Sequence, residues 1–406
     1  MKTYSELSID LTKRLDKSEK KENGIYFTPP KTVSKALSLL TPYMRSIKDV
    51  LEPSCGSCEF VRHLVEAIPD VCITAVEYNK IIYEAIKSQE WGNVEIHNSD
   101  YLAFQEAKKY DLIIGNPPYY VMKKGEVAPV YYDYFEGRPN IFILFIAKAL
   151  QELKADGILA FVLPKNFLNC LYYNKMRKFI YDRFQIMGIH ECDDSYIETQ
   201  QETILLILRN ASSSSSPTAN DDYCLIRKDS IVFGAPSNIE IIKGLYHSST
   251  TLKDMGFEVK VGNIVWNQCK DILTDDSTKT LLIYSSDIKN GQLELQEFSN
   301  EAKKHYICKE GELGPRLLLN RGYGVGKYKF EYYLLDIEDA YLLENHVIYI
   351  RPIDPAESKT ELLEKYHSII RSFQEAKTQE FIEIYFGNNA INTTELCELL
   401  PIYLLN

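Results

Sequence analysis

Between residues 49 and 208, short apolar runs alternate with segments of helical periodicity, and this alternation constrains the fold more than any other feature of the chain. Residues 49–52, 72–77, 94–97, 111–115, 158–163 and 185–190 read as strands. Residues 60–68, 80–88, 141–153 and 172–184 read as helices, the first with apolar residues at 60, 61, 64, 65 and 68. Strands joined through helices by short connections pair in parallel and are covered on both faces. The expected fold is therefore α/β, a doubly wound and mostly parallel sheet. Residues 202–208 predict an antiparallel strand at the sheet's end. Residues 5–20 predict one short helix, with Leu7, Leu11 and Leu15 recurring every four positions among charges.

After residue 208 the composition changes. A polar stretch through Ser212–Ser216 and Pro217 to Asp222 reads as a linker. The expected organisation is a first domain over 1–208, a linker over 209–222 and an α+β second domain over 223–406. Strand-like pieces there fall at 258–262, 281–286, 316–319 and 346–350, with a helical run at 361–375. Lys plus Arg total 46 against 57 Asp plus Glu, a net charge of −11, which excludes a wholly electrostatic nucleic-acid binder but not a local basic face. No apolar stretch approaches the ~18–20 residues that cross a membrane, and the start lacks an apolar signal core. The nine cysteines are scattered singly except for Cys55 and Cys58. Reduced thiols in a cytoplasm are expected, with no metal, because no second CxxC completes a zinc site.

In a doubly wound sheet, ligands sit beyond the carboxyl ends of the strands. The first strand ends in Glu52-Pro53-Ser54-Cys55-Gly56-Ser57-Cys58, small residues opening onto a helix whose N–H groups are unpaired. The second ends in Glu77, 21 residues after Gly56, about the spacing at which a carboxylate accepts both hydroxyls of a ribose. The third is followed by Asp100 and Tyr101, an acceptor for an adenine amino group beside an aromatic ring. A small-residue turn is most often only a turn, and a lone acid most often a helix cap; their succession on consecutive strand ends favours a ligand. The G-x-G-x-x-G fingerprint of a pyrophosphate site is missing. A cofactor with ribose and adenine but no phosphates fits, and S-adenosylmethionine is the obvious one.

The fourth strand runs into Asn116-Pro117-Pro118-Tyr119. This tetrapeptide arises by chance in about one of several hundred chains of this length. A rigid turn explains two prolines but not the whole string. The string suits an amine acceptor. An exocyclic amine on an aromatic ring is a poor nucleophile because its lone pair is delocalised. The Asn116 side-chain oxygen and the Pro117 carbonyl, aimed at its N–H bonds, favour the tetrahedral nitrogen that frees the lone pair. The Pro117-Pro118 pair holds those carbonyls still, and Tyr119 offers a face on which a flat base stacks.

These residues, together with Gly24-Ile25-Tyr26-Phe27-Thr28-Pro29-Pro30, resemble the ordered motifs of gamma-class, TaqI-like adenine-N6 DNA methyltransferases of restriction–modification systems. The resemblance covers residues 24 to about 208 motif by motif. It is weaker at 261–268 and at Asn320-Arg321-Gly322-Tyr323-Gly324, which are similar to target-recognition domains of that group. It implies that Tyr26, Phe27 and Thr28 line the cofactor's methionine end with Glu52. Ser54, Cys55 and Gly56 form its loop, and Glu77 and Tyr78 lie at its ribose. Asp100 and Tyr101 hold its adenine, with Asn116 at the methyl. Phe145 packs on the cofactor adenine or is simply core. Tyr196 is the second aromatic against the target base.

A base inside a duplex must be flipped out to be modified. Lys123 and Lys124, among Tyr120, Tyr131, Tyr132, Tyr134 and Phe135, form either a clamp on DNA or part of the core. Arg316, Arg321, Tyr323, Lys327 and Lys329 lie in a glycine-rich stretch without acids that suits groove or backbone contact. Double-stranded DNA is the expected partner of a monomeric enzyme. Any cognate restriction endonuclease is expected as a separate chain, since about 25 residues ahead of the first motif leave no room for a nuclease domain. Rival readings are an Asn-Pro-Pro-Tyr enzyme acting on protein glutamine or an RNA base, and an inactive DNA-binding specificity subunit. A cytosine ring-carbon methyltransferase is excluded because no Pro-Cys dipeptide occurs.

Overall fold

The computed structural model describes residues 3–89, 91–192, 196, 201–211, 220–320, 330–354, 358–386 and 391–404. The chain divides into two compact units, Met1–Ile239 and Glu240–Asn406.

The first unit is built on a seven-stranded sheet. Its strands are β1 (Asp49–Glu52), β2 (Cys72–Glu77), β3 (Val94–Asn98), β4 (Tyr110–Gly115), β5 (Leu153–Pro164), β6 (Gln185–Cys192) and β7 (Thr203–Arg209), in the spatial order β3-β2-β1-β4-β5-β7-β6. All are parallel except β7, which runs antiparallel between β5 and β6. It is a Rossmann-like, doubly wound fold. The burial of each strand explains its place. The inner strands are apolar almost without interruption because helices cover both faces, whereas β3 and β6 alternate and take the edges. That pattern also corrects the expectation that 202–208 ends the sheet. Thr203 through Leu208 are all buried, so the segment requires a neighbour on each side, and β6 is the edge.

Among the described residues, the α-helices that accompany the sheet are α1 (Glu6–Arg14), α2 (Lys17–Asn23), α3 (Pro30–Leu40), α4 (Glu59–Ala67), α5 (Lys80–Ile86), α6 (Ile141–Glu152) and α7 (Asn174–Arg183). Successive strand residues serve opposite faces. Val50 and Leu112 pack with α3 and α4, while Leu51 and Ile113 pack with α6 and α7. Helix α6 is buried almost all round, as its unbroken Ile141-Phe142-Ile143-Leu144-Phe145-Ile146 run demands. The predicted single helix over 5–20 is two helices. Asp16 accepts a hydrogen bond from the Ser18 N–H at 2.7 Å and starts α2 afresh, so a cap interrupts the leucine periodicity.

Beyond the serine-rich stretch, a hairpin of β8 (Cys224–Arg227) and β9 (Ser230–Phe233) still belongs to the first unit. The fully buried Arg177 guanidinium donates to the Ile231 carbonyl at 2.5 Å, and Phe233 meets Phe167 edge-on.

The second unit is α+β. One antiparallel sheet contains Phe257–Val261, Val347–Pro352, Arg316–Asn320 and Tyr332–Leu335. A second, mixed sheet pairs Leu273–Thr274, Tyr306–Ile307, Thr280–Ile283 and Tyr341–Leu343, and the helices include Lys359–Gln374. Gly262 is fixed by close approach: a Cβ there lies 2.2 Å from the Glu344 carbonyl oxygen, so no larger residue fits. Among the described residues, no helix is long and apolar enough to cross a membrane.

Candidate functional site

The chain runs from β1 outward through β2 and β3, then returns to β4 on the other side of β1. The sheet therefore reverses winding between β1 and β4, where a crevice opens at the strands' carboxyl ends. The two loops there touch: the Ser54 hydroxyl donates to the Asn116 carbonyl at 3.1 Å. The cleft encloses about 900 Å³ including its open mouth, and its walls include Tyr26, Phe27, Ser54, Gly56, Glu77, Tyr78, Asp100, Tyr101, Asn116, Pro118 and Phe145. Four strand ends and the segment before α3 thus converge on one cavity.

Glu77 is its electrostatic centre. One carboxylate oxygen accepts the Gly56 N–H at 2.9 Å and the other the Asn79 N–H at 2.7 Å, so the side chain bridges the loop after β1 and the start of α5. Burial pushes its carboxyl up to about 7 against these stabilising donors. Glu52 is buried, which holds its carboxyl well above the ordinary carboxylate range, and its Oε2 lacks a hydrogen-bond partner among the described residues.

Tyr78, 70% exposed, presents an aromatic face at the mouth. Opposite the acid, Tyr101 is buried. Its hydroxyl donates to Glu152 at 2.5 Å, its ring packs 4.9 Å from Phe145, and Lys148 lies 4.5 Å from the ring centroid. Lys148 also donates to the Tyr101 and Phe104 carbonyls, fastening the loop that carries Asp100.

At the tip of β4, Asn116 Nδ2 donates to the Tyr26 carbonyl at 3.1 Å, while its Oδ1 accepts from the Tyr119 hydroxyl at 2.6 Å. Tyr196, buried, reaches within 3.5 Å of Nδ2, and its ring meets Tyr26 edge-on. Gly24 explains how the 24–30 segment comes so close. Its φ is +62°, and a Cβ on it falls 2.5 Å from the Tyr119 backbone nitrogen. Gly24→Ala is expected to cost about 2–3 kcal/mol through strain and overlap, read as a lowered Tm together with a disturbed Asn116 loop.

Thr28, Glu52, Cys55, Pro117, Tyr119 and Tyr196 stand behind or beside the cleft wall rather than in it. The aromatic segment after Tyr119 divides. Tyr131 and Phe135 are core, Lys124 covers the Tyr132 ring, and Lys123 projects into solvent beside Glu126. In the second unit, Arg316 is largely covered and tied to the Pro315 carbonyl and Glu312. Arg321, Tyr323, Lys327 and Lys329 lie outside the described residues.

Sequence reasoning did not single out Asn79, Ile82, Leu102, Met122 or Ile141, all of which line the cleft, and it read Tyr120, which also lines it, as clamp or core. Asn79 carried a readable signal, an N-cap just ahead of a helical run, and it caps α5 through the Ile81 and Ile82 N–H groups. The apolar liners carried none, because wall and core ask for the same residue types.

Residues 55–197 match the family described as Eco57I restriction-modification methylase. Modification methylase CviBIII of Paramecium bursaria Chlorella virus NC1A is 27% identical over 98% of this chain and 99% of its own length. Type II methyltransferase M.CvrRI of Paramecium bursaria Chlorella virus XZ-6E is 25% identical over 99% of this chain and its full length. Among solved structures, the cryo-EM DrdV–DNA complex shares the fold with a TM-score of 0.56 at 12% identity, across 98% of this chain and 57% of that one.

Proposed function

On the footing that this chain carries a restriction-modification DNA methylase domain of the Eco57I type over residues 55–197, we propose that it methylates the exocyclic N6 amine of adenine in duplex DNA. The observation that carries the proposal is the placement of Asn116 on the wall of the same cleft as Glu77 and Asp100. An amine acceptor thereby borders a nucleoside-shaped cavity.

The residues present fit S-adenosylmethionine. Glu77 and Asn79 are to hold its ribose diol and Asp100 and Tyr101 its adenine, a reading supported by their lining one cleft. When bound, this cofactor supplies an electrophilic sulfonium methyl. The chain's own part is to orient and to polarise. Tyr119 and Tyr196, which stand beside the cleft wall, are assigned as the aromatic faces that close on the flipped base. Asn116 Oδ1 and the Pro117 carbonyl take the two N–H bonds of its amine. As positive charge grows on that nitrogen, fixed acceptors in a partly desolvated site stabilise it without reorganising, because Pro118 restricts the backbone of Pro117 and Ser54 holds the Asn116 carbonyl. The Glu240–Asn406 unit reads the DNA sequence, and any companion endonuclease is a separate chain.

Incubation with labelled cofactor and unmethylated duplex DNA, RNA and protein in parallel tests the assignment. Label is expected in duplex DNA; label confined to RNA or protein overturns it, and no transfer under any condition points to an inactive specificity subunit instead.

Glu77 sets a pH dependence. Its folded-state carboxyl titrates at about 7 against an ordinary value of 4.5, so between those values the folded protein holds a proton that the unfolded chain has released. Its contribution to stability therefore falls as pH rises through that window. Ribose hydroxyls donate to the charged form and lower the carboxyl on binding. Cofactor affinity is expected to rise from pH 6 to 8 with release of a proton near neutrality. Calorimetry in buffers of different ionisation enthalpy checks this; tighter binding at pH 6 contradicts it.

A further inference from the structure

The amide of Asn116 has only one orientation open to it. Its Nδ2 faces the Tyr26 carbonyl at 3.1 Å, an oxygen that can only accept, so the opposite edge must present Oδ1. There Oδ1 lies 2.6 Å from the Tyr119 hydroxyl, and that hydroxyl lies 2.8 Å from the Val162 carbonyl. The Tyr196 hydroxyl, hydrogen-bonded to that of Tyr119, stands 3.5 Å from Asn116 Nδ2. A phenol carries one proton. Asn116 Oδ1, the Val162 carbonyl and the Tyr196 oxygen therefore compete for it, Asn116 at the shortest distance.

We propose that the Tyr119 hydroxyl is a placeholder for the target amine. It donates to Asn116 Oδ1 while no base is present and turns its proton to the Val162 carbonyl when the amine arrives. The proposal rests on the adenine-N6 reading above and adds a positioning role for a hydroxyl whose ring alone is needed for stacking. Rotation about the C–O bond turns the proton to the new partner, and the phenol oxygen draws back from Asn116 Oδ1 as the amine enters, because two oxygens 2.6 Å apart need a proton between them. In neither state is the half-buried Asn116 oxygen left without a donor, which avoids the penalty of an unsatisfied acceptor.

The exchange also bears on catalysis. In the ground state the amine replaces one neutral donor by another, so Asn116 adds little to base binding. As charge builds on the nitrogen, its N–H becomes a far better donor than the phenol it displaced. The interaction with Asn116 is thereby reserved for the transition state, where it raises rate rather than affinity.

The test measures binding of duplexes in the presence of S-adenosylhomocysteine, which blocks turnover. The target position, taken as the base the wild-type protein methylates, carries either adenine or purine, which lacks the amine. Wild-type protein is expected to bind the purine duplex no more than about twofold more weakly, because the Tyr119 hydroxyl refills the acceptor. Tyr119→Phe is expected to shift the adenine-to-purine preference toward adenine by about three- to tenfold, and Asn116→Ala on top of it to cancel the shift. A loss of tenfold or more by the wild-type protein on purine overturns the placeholder, and so does an unchanged ratio in Tyr119→Phe. The wild-type comparison decides the matter even if the variant fails to fold. Failure of the wild-type protein to methylate adenine overturns the activity itself; methylation with an unmoved ratio overturns only the placeholder.

Discussion

Replacing Asn116 by alanine is expected to slow methyl transfer by about 10²–10³-fold while cofactor affinity changes by no more than about threefold. The asymmetry follows from where the side chain's two ends are engaged. Nδ2 is held by a backbone carbonyl of the 24–30 segment, and Oδ1 by a hydroxyl on its own loop, so neither end is committed to Glu77 or Asp100. Removing the amide strips the amine of one of two acceptors at the moment charge develops on it, and leaves the ribose and adenine contacts standing. Single-turnover kinetics alongside equilibrium cofactor binding separates the two effects. Equal losses in both would move Asn116 from the chemistry to the architecture of the cleft.

Glu77→Ala is expected to do the reverse, weakening cofactor binding about 100-fold with a much smaller loss of rate at saturating cofactor. Two hydrogen bonds to a buried carboxylate are worth about 1.5–3 kcal/mol each, and part of that is spent on the Gly56 and Asn79 N–H groups the side chain already serves. Glu77→Gln keeps the shape but turns an NH₂ toward one of those N–H donors. A loss of about tenfold is expected there, together with disappearance of the pH dependence near 7. Persistence of that dependence in the glutamine variant would assign it to another group.

The sheet and the cleft were legible in the sequence because the same physics writes both. Strands buried on two faces must be apolar throughout, so 111–115 and 158–163 stand out; their ends must carry the polar groups that face a ligand, so Glu77, Asp100 and Asn116 stand out in turn. The order of the last two strands was not legible, since periodicity marks a buried strand but not which neighbours bury it. The break between α1 and α2 was hidden because leucine spacing continues through Leu15 while Asp16 resets the backbone. The second unit was less readable still. Leu273–Thr274 pairs with Tyr306–Ile307, and Leu281 with Tyr341; strands of two to four residues joined across such separations leave no periodic trace. The hydroxyl of Tyr119 was invisible for a different reason. A tyrosine beside two prolines announces an aromatic face, whereas the partner of its proton depends on Val162, which arrives from β5.

The most direct measurement identifies the base and the atom. Duplex DNA is incubated with the protein and a cofactor bearing a deuterated methyl, digested to nucleosides and resolved by mass spectrometry. Deuterated N6-methyladenine is expected from the wild-type protein, and next to none from Asn116→Ala. Deuterium on cytosine, or undiminished adenine methylation by the variant, would contradict that expectation.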